Sequence, residues 1–389
     1  MIKHILRALW HRRRSEALVV VEVLATFLVI AMVAAFATML GSRARLPLGF
    51  DADRVLRIEV VGVGDSGEQA LIQSRPRILE ELAAIPGVES AAGLGIAPWD
   101  GSDMTRTDDG LEMFVNSVTP EVADVLRLEP IAGRFFEEAD ASLPWTPVVL
   151  NQRLAHQLFG EEDPIGKVAE VGGDGQAEAR VVGVLADFRE NGEFSPPVNY
   201  LIELATHQGR PRATDYVVRL APRSSADTRR VVAERLREIA PDWSFQLREL
   251  RELRERRRQQ TLAPLILAAA AALFLLGTVG LGLTGVVWQN VGRRTRELAL
   301  RRAIGATKPG LMRQIVLEVV ILCLVGVACG ALVLVQFPLL GFGSIMPTKY
   351  LLVGALLSSV IVATAGAVCA LYPGRQTTRI AVAEALRQE

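Results

Sequence analysis

Cysteine is almost missing from this chain: there are three, Cys323, Cys329 and Cys369, and all lie in apolar runs near the C-terminus. The polar middle, about 215 residues from Gly41 to Arg256, therefore has no disulfide and must be stable through its own core. Net charge is also absent, because 43 basic and 43 acidic residues cancel. A neutral total argues against nucleic acid as a partner, and the arginine clusters sit beside apolar runs rather than along one soluble face. Histidine is scarce, and only His156 and His207 fall in the polar middle. With no H-E-x-x-H, no G-x-S-x-G and no cysteine outside the apolar runs, neither a zinc ion nor a nucleophile–base pair has a host. His156 reads as a surface or core residue of a helix. The carboxylates Asp108-Asp109 and Glu137-Glu138 are sequence neighbours, which diverge on regular elements, so they read as solvated loop charges rather than an acid/base pair.

What the chain has in quantity is long apolar runs at both ends. Residues 1 to 16 are basic, and Ala17–Leu40 follows without a break; about twenty residues cross a hydrocarbon core as a helix. A signal peptide also starts basic, but its core is only ~7–15 residues, so this run reads as an uncleaved span with residue 1 in the cytoplasm. Three further spans are expected at Leu262–Val287, Ile315–Leu334 and Leu351–Tyr372. The basic connection Arg293–Glu318 and the tail with Arg375, Arg379 and Arg387 then lie inside, and the nearly uncharged Gln336–Tyr350 lies outside. Six arginines between Arg248 and Arg258 conflict with this topology, but a domain of more than 200 residues crosses largely regardless of charge. Two acids fall within spans, Glu22 and Glu318, and an intramembrane ionisable residue is a functional candidate. For Glu22 the plainer role is to reach the interface or pair with an arginine of a neighbouring loop.

The polar middle alternates period-2 and period-3.6 segments separated by Gly and Pro, the pattern of an α+β domain. Strands are predicted at Val55–Val61, Leu111–Val118, Pro147–Leu150, Arg180–Leu185, Tyr200–Glu203 and Tyr216–Leu220. Helices are predicted at Leu71–Ala84, Pro120–Leu128, Gln152–Phe159 and Ala226–Ile239, with Asn151 and Thr119 as cap residues. Without a long βαβ rhythm, a mixed sheet with helices on one face is expected, as one large domain or two subdomains. Leu247–Gln260 reads as a charged helix feeding the second span.

Two glycine motifs are decoys. Gly62 to Gly67 fits G-x-G-x-x-G, but no acidic strand end follows about twenty residues on, and the segment faces away from the cytoplasm. Gly160 to Lys167 resembles a phosphate loop with one residue too many and with Val168 where a metal-binding hydroxyl is needed. No ATP site is legible, so no cofactor is expected in this chain.

From Arg293 to Ile304 the residues favour helix, with Glu297 four after Arg293 and four before Arg301, and with Leu300, Ala303 and Ile304 as a narrow apolar strip. Gly305 can end that helix in a left-handed turn, and the small residues Ala299, Ala303 and Ala306 permit close approach of a partner. The alternative is a helix that only rests on lipid headgroups.

These residues resemble a family. Arg294 to Thr307, RTRELALRRAIGAT, is similar to the signature of FtsX-like, MacB-type permeases of ABC transporters. The tail from Tyr372-Pro373 to Val382-Ala383-Glu384-Ala385-Leu386-Arg387 resembles the family's C-terminus, departing from it at Gly374 and at Ala381 or Val382. Gly133-Arg134-Phe135-Phe136 with Asp140, Pro164-Ile165-Gly166-Lys167 and Val181-Val182-Gly183-Val184 resemble the family's periplasmic core. The resemblance implies a membrane protein of four transmembrane helices with a large α+β extracytoplasmic domain inserted between the first and second. Its parts are residues 1–41 (cytoplasmic start and first span), 42–260 (MacB-like core) and 261–389 (FtsX-like permease and tail). It implies a bacterial inner-membrane location with both termini cytoplasmic, a separate cytoplasmic ATPase that binds the ATP, a second permease subunit, identical or paired, and room for a periplasmic adaptor. The ATPase is expected on Arg296, Glu297, Leu300, Arg301, Ala303, Gly305 and Ala306. Its motion would pass to the outer domain to export or extract a substrate, or alternatively to signal to an envelope enzyme. Trp99–Thr107 is a candidate binding loop of that domain.

Overall fold

The computed structural model describes residues 15–377, apart from 64–66, 101–104, 107–109, 170–177, 206–213, 223, 225, 294–299, 302–303, 306, 342 and 344–345. The chain divides into two compact units, one built from its start and from residues after Leu262, the other from Arg43–Thr261.

The first unit holds four helices long and apolar enough to cross a membrane. They are α1 (Ser15–Ala44), α6 (Leu250–Arg293), α7 (Lys308–Leu334) and α9 (Thr348–Thr377); the short α8 (Gln336–Leu339) follows α7. Chains surrounded by hydrocarbon must satisfy every backbone amide internally, which leaves helix as the form these apolar runs can take. Packing between them depends on small residues rather than on burial from water. Gly326 and Gly330 of α7 lie against Val23 and Phe27 of α1, and a Cβ on Gly330 would sit 2.4 Å from the Phe27 ring. On the neighbouring helix, a Cβ on Gly354 would sit 2.3 Å from the Ala31 carbonyl oxygen, and Ser358 Oγ donates to the Phe27 carbonyl at 2.9 Å. Thus α1 is packed by two stripes of small residues, one from α7 and one from α9.

The second unit is a ten-stranded mixed sheet. Its strands are β1 (Val55–Gly62), β2 (Val88–Leu94), β3 (Thr105–Arg106), β4 (Glu112–Val118), β5 (Pro130–Gly133), β6 (Thr146–Asn151), β7 (Ala179–Leu185), β8 (Tyr200–Leu204), β9 (Asp215–Leu220) and β10 (Ser244–Glu249). The order is β10-β1-β9-β2-β4-β8-β6-β7-β5, with β3 paired to β4. Only β4–β8 and β6–β7 run parallel among the described pairs. Alternation decides the two faces: in β9, Tyr216 and Val218 point to one side and Val217 to the other. Helices α2 (Gly67–Ala83), α4 (Gln152–Phe159) and α5 (Ala226–Ile239) supply Leu82, Leu154 and Leu236 to the first face. The opposite face is covered by α3 (Val122–Leu126) and by Leu250 and Leu253 of α6.

Several expectations are corrected here. Helices cover both faces rather than one, and the sheet is continuous rather than split. The charged helix begins at Leu250, not Leu247, because Leu247 pairs with Ile58 in the β10–β1 ladder. A leucine every third position fits a helix, but Phe245 and Leu247 also alternate as a strand, and the partner strand decides. Thr119 does not cap α3: its hydroxyl accepts from the Gly93 amide at 3.0 Å, and α3 begins at Val122 without a side-chain cap. Asn151 does cap α4, accepting from Leu154 N at 3.1 Å.

The sheet carries buried charge. On β1, Arg57 is 3% exposed and donates to Asp215 Oδ2 at 2.7 and 3.0 Å and to both oxygens of Asp100 at 2.7 and 3.0 Å. Burial pushes the Asp215 carboxyl up to about 6 against the pull of Arg57. Because that group holds more protons folded than unfolded, its contribution to stability falls as pH rises from about 4 to about 6. Replacing Arg57 by Met should cost about 3–5 kcal/mol at pH 8, less at pH 5 where Asp215 is protonated, and R57M/D215L should recover most of it. Denaturant unfolding of the full chain at both pH values checks this. In the membrane unit, Gly330→Leu should cost about 1–3 kcal/mol by overpacking against Phe27, read as lowered thermal stability in detergent, while Gly330→Ala should cost less.

Candidate functional site

The connection between α6 and α7 is the site to which the charge pattern pointed. Of the residues singled out there, Arg296, Glu297, Ala303 and Ala306 lie outside the described residues. The others are placed. Leu300 and Ile304 are 58% and 80% exposed, one helical turn apart, with the Ile304 amide bonded to the Leu300 carbonyl at 3.1 Å. Gly305 follows at φ +101, a conformation that L side chains avoid. Thr307 then opens α7, its hydroxyl accepting from the Gly310 amide and Pro309 occupying the first turn. Arg301 Nη1 donates to Gln314 Oε1 at 3.1 Å, and Gln314 Nε2 donates to Glu318 Oε1 at 3.2 Å. This relay ties the connection to the first turns of α7 through Arg301 and Glu318, which the sequence had placed in separate roles. The arrangement presents two large apolar side chains beside a sharp turn, on a backbone braced by a polar chain.

The second intramembrane acid, Glu22, sits against α6: a Cβ on Gly282 would lie 3.0 Å from its Oε2. Gly282 therefore leaves the room that the carboxylate fills.

Sequence reasoning missed a cluster within the second unit that gathers the residues following Ser42 and the first turns of α6 around one loop. Arg189 is 1% exposed, and its guanidinium donates to four backbone carbonyls: Arg43 at 2.9 Å, Leu46 at 3.0 Å, Ser195 at 2.8 Å and Glu193. Arg43 lies in the last turn of α1 and Leu46 two residues beyond its end, where a cation is favoured; the Arg43 carbonyl also accepts from the Leu46 amide at 3.1 Å. Arg43 returns a bond to the Phe194 carbonyl at 3.2 Å, and Arg254 of α6 reaches Glu193 at 3.4 Å. One loop, 189–195, thus touches both the exit of α1 and the first turns of α6. Arg189 carries no motif, and only its burial gives it away.

The other candidates are structural. Trp99 is buried at φ +66, edge-to-face with Phe50 at 5.3 Å between ring centroids, and Asp100 belongs to the Arg57 cluster; 101–104 and Thr107 lie outside the described residues. His156 is exposed, its Nδ1 3.1 Å from the Gly160 carbonyl oxygen. Gly166 takes φ +79 in a turn closed by Lys167 N on the Pro164 carbonyl. Glu137 begins a 3₁₀ turn (Glu138–Ser142), and Arg134 clamps Asp140 there at 2.6 and 2.7 Å, holding the Asp140 carboxyl below its usual range. Of Gly62–Gly67, residues 64–66 lie outside the described residues, as do Asp108 and Asp109.

Residues 23–236 match the model of the MacB-like periplasmic core domain, and 269–382 match that of the FtsX-like permease C-terminal domain. The chain belongs to the MacB-type, FtsX-like permease family. Among its relatives, a macrolide export ATP-binding/permease protein MacB of Agrobacterium fabrum is 28% identical over 98% of this chain and 59% of that protein. The same-named protein of Bdellovibrio bacteriovorus is 26% identical over 86% of this chain and 53% of its own length. The chain spans about half the length of the curated relatives it matches. The periplasmic region of MacB from Actinobacillus actinomycetemcomitans covers 53% of this chain, and 93% of that structure is matched, at 16% identity and a TM-score of 0.38. With four apolar helices, this family member is a multi-pass protein of the inner membrane.

Arg189→Met should leave the Leu46, Glu193 and Ser195 carbonyls without this donor and cost at least about 1–3 kcal/mol, the penalty of a buried acceptor left unsatisfied. Arg189→Lys, with three donors, should recover part. Thermal unfolding and protease nicking within 189–195 measure both.

Proposed function

We propose that this chain is the permease subunit of an ABC-type exporter, with the ATP-binding subunit on a separate cytoplasmic polypeptide. The ATPase docks on the connection between α6 and α7, and its motion is carried along α6 to the sheet unit outside the membrane, which moves substrate there. Both termini are cytoplasmic in this reading, a second permease subunit completes the pair, and a periplasmic adaptor is a further partner. The observation that carries the proposal is the exposed pair Leu300 and Ile304 beside the Gly305 turn, braced to α7 through Arg301, Gln314 and Glu318. Large apolar groups are buried when a partner is present, and aromatic or aliphatic anchors in a pocket carry most of an interface's energy. This sequence holds no phosphate loop of the required spacing.

Each apolar anchor is worth about 2 kcal/mol, so Leu300→Asp or Ile304→Asp should weaken ATPase association by roughly thirtyfold. Charge reversal at Glu297 and Arg301, with membrane insertion retained, should uncouple ATP hydrolysis from transport. Mild-detergent purification followed by identification of what stays attached, together with ATPase assays, reads both. Full association and coupling in both sets of variants would remove the assignment, and recovery of a regulated envelope enzyme instead of an exported substrate would favour signalling.

A further inference from the structure

The arginines that disturb the topology rule have a physical place in the structure. Helix α6 has 44 residues, about 66 Å at 1.5 Å per residue, roughly twice what a hydrocarbon core of about 30 Å requires. Its surplus lies at the N-terminal end, where Leu250 and Leu253 are buried in the sheet unit's core. The apolar run starts at Leu262, so Arg256, Arg257 and Arg258 stand four to six residues before it, about 6–9 Å along the axis. The headgroup layer on each side of a bilayer is about 5–7 Å thick. An arginine side chain reaches several ångströms further, so all three guanidinium groups fall within that layer.

Three consecutive residues also fan out by about 100° each around a helix, which makes them a collar rather than a stripe. All three are exposed. Their acidic neighbours are engaged elsewhere: Glu255 accepts from Gln259, Glu252 faces Arg229 at 3.7 Å, and Glu193 takes Arg254. Among the described residues no carboxylate pairs with Arg256, Arg257 or Arg258.

We infer that Arg256, Arg257 and Arg258 of α6 form a binding collar for the phosphates of anionic lipids at the membrane surface. Guanidinium groups bind phosphate through paired donors, and a fixed ring of them beside a span selects charged headgroups over zwitterionic ones. The collar follows from distance to the span, so it stands whether or not an ATPase docks on the far connection.

The test uses the full chain reconstituted in vesicles of equal parts phosphatidylcholine and phosphatidylglycerol, extracted in mild detergent, with retained lipids identified by mass spectrometry. Wild type should retain phosphatidylglycerol preferentially. R256Q/R257Q/R258Q should lose that preference, by up to roughly fivefold per arginine, and R256K/R257K/R258K should keep most of it. In about 0.5 M salt, where screening acts over only a few ångströms, the wild-type preference should shrink, a measurement that stands even if the glutamine variant fails to insert. Equal retention of the two lipids by wild type, an unchanged ratio in the glutamine variant, or no response to salt would overturn the inference. So would displacement by millimolar glycerophosphoglycerol, which would make the collar a site for a soluble phosphate.

Discussion

The fold depends on one constraint: a domain of more than 200 residues is inserted between two membrane helices, and the chain must be fastened where it leaves one and enters the other. Arg189 does this at the exit. Its guanidinium serves carbonyls of Arg43 and Leu46 on one side and of Glu193 and Ser195 on the other. The last carbonyls of a helix need donors, and a planar group with five N–H bonds supplies several without moving. At the entry the fastening is apolar, with Leu250 and Leu253 inside the core that Val217 and Val149 also line. Arg254 on Glu193 then joins entry to exit through the same loop.

The two units are stabilised by different physics. In the sheet unit, water drives burial, and buried charge is compensated by opposite charge, as for Arg57 with Asp100 and Asp215, or by backbone carbonyls, as for Arg189. Between helices in lipid there is no such drive, so close contact must come from missing side chains. Gly326, Gly330 and Gly354 let α7 and α9 approach α1 to distances that a methyl group would prevent.

The sequence showed most of what depends on local pattern. The four apolar runs became four helices, and the period-2 segments at Val55, Pro147 and Tyr216 became strands. What it hid depended on partners distant in the chain. Val88–Leu94 and Pro130–Gly133 are poor strand formers alone and are strands because β9 and β7 lie beside them. Leu247 turned from helix to strand for the same reason. The candidate site was legible as a charged connection with an apolar strip, since helix period, glycine and basic residues are all local. Its brace was not, because Gln314 has no special chemistry until folding brings it to Arg301 and Glu318. The family's Gly133-Arg134 and Asp140 acquire a cause in the same way. A Cβ on Gly133 would lie 2.3 Å from the Val182 carbonyl oxygen, and Arg134 holds Asp140 at the start of the 3₁₀ turn.

Helix α6 is where these threads meet. Its first turn is a core element of the sheet unit, its middle is an apolar span, and its last residues open the connection that carries Leu300 and Ile304. Each turn of the helix is closed by backbone hydrogen bonds to the turn before it. Pro264 is the one proline within it, and it removes the bond to the Gln260 carbonyl two residues inside the boundary between the units. The same boundary is flanked by Arg256–Arg258. Their charge resists entry of the helix into hydrocarbon, where a cation costs about 3 kcal/mol or more, and Leu250 and Leu253 resist its withdrawal from the core.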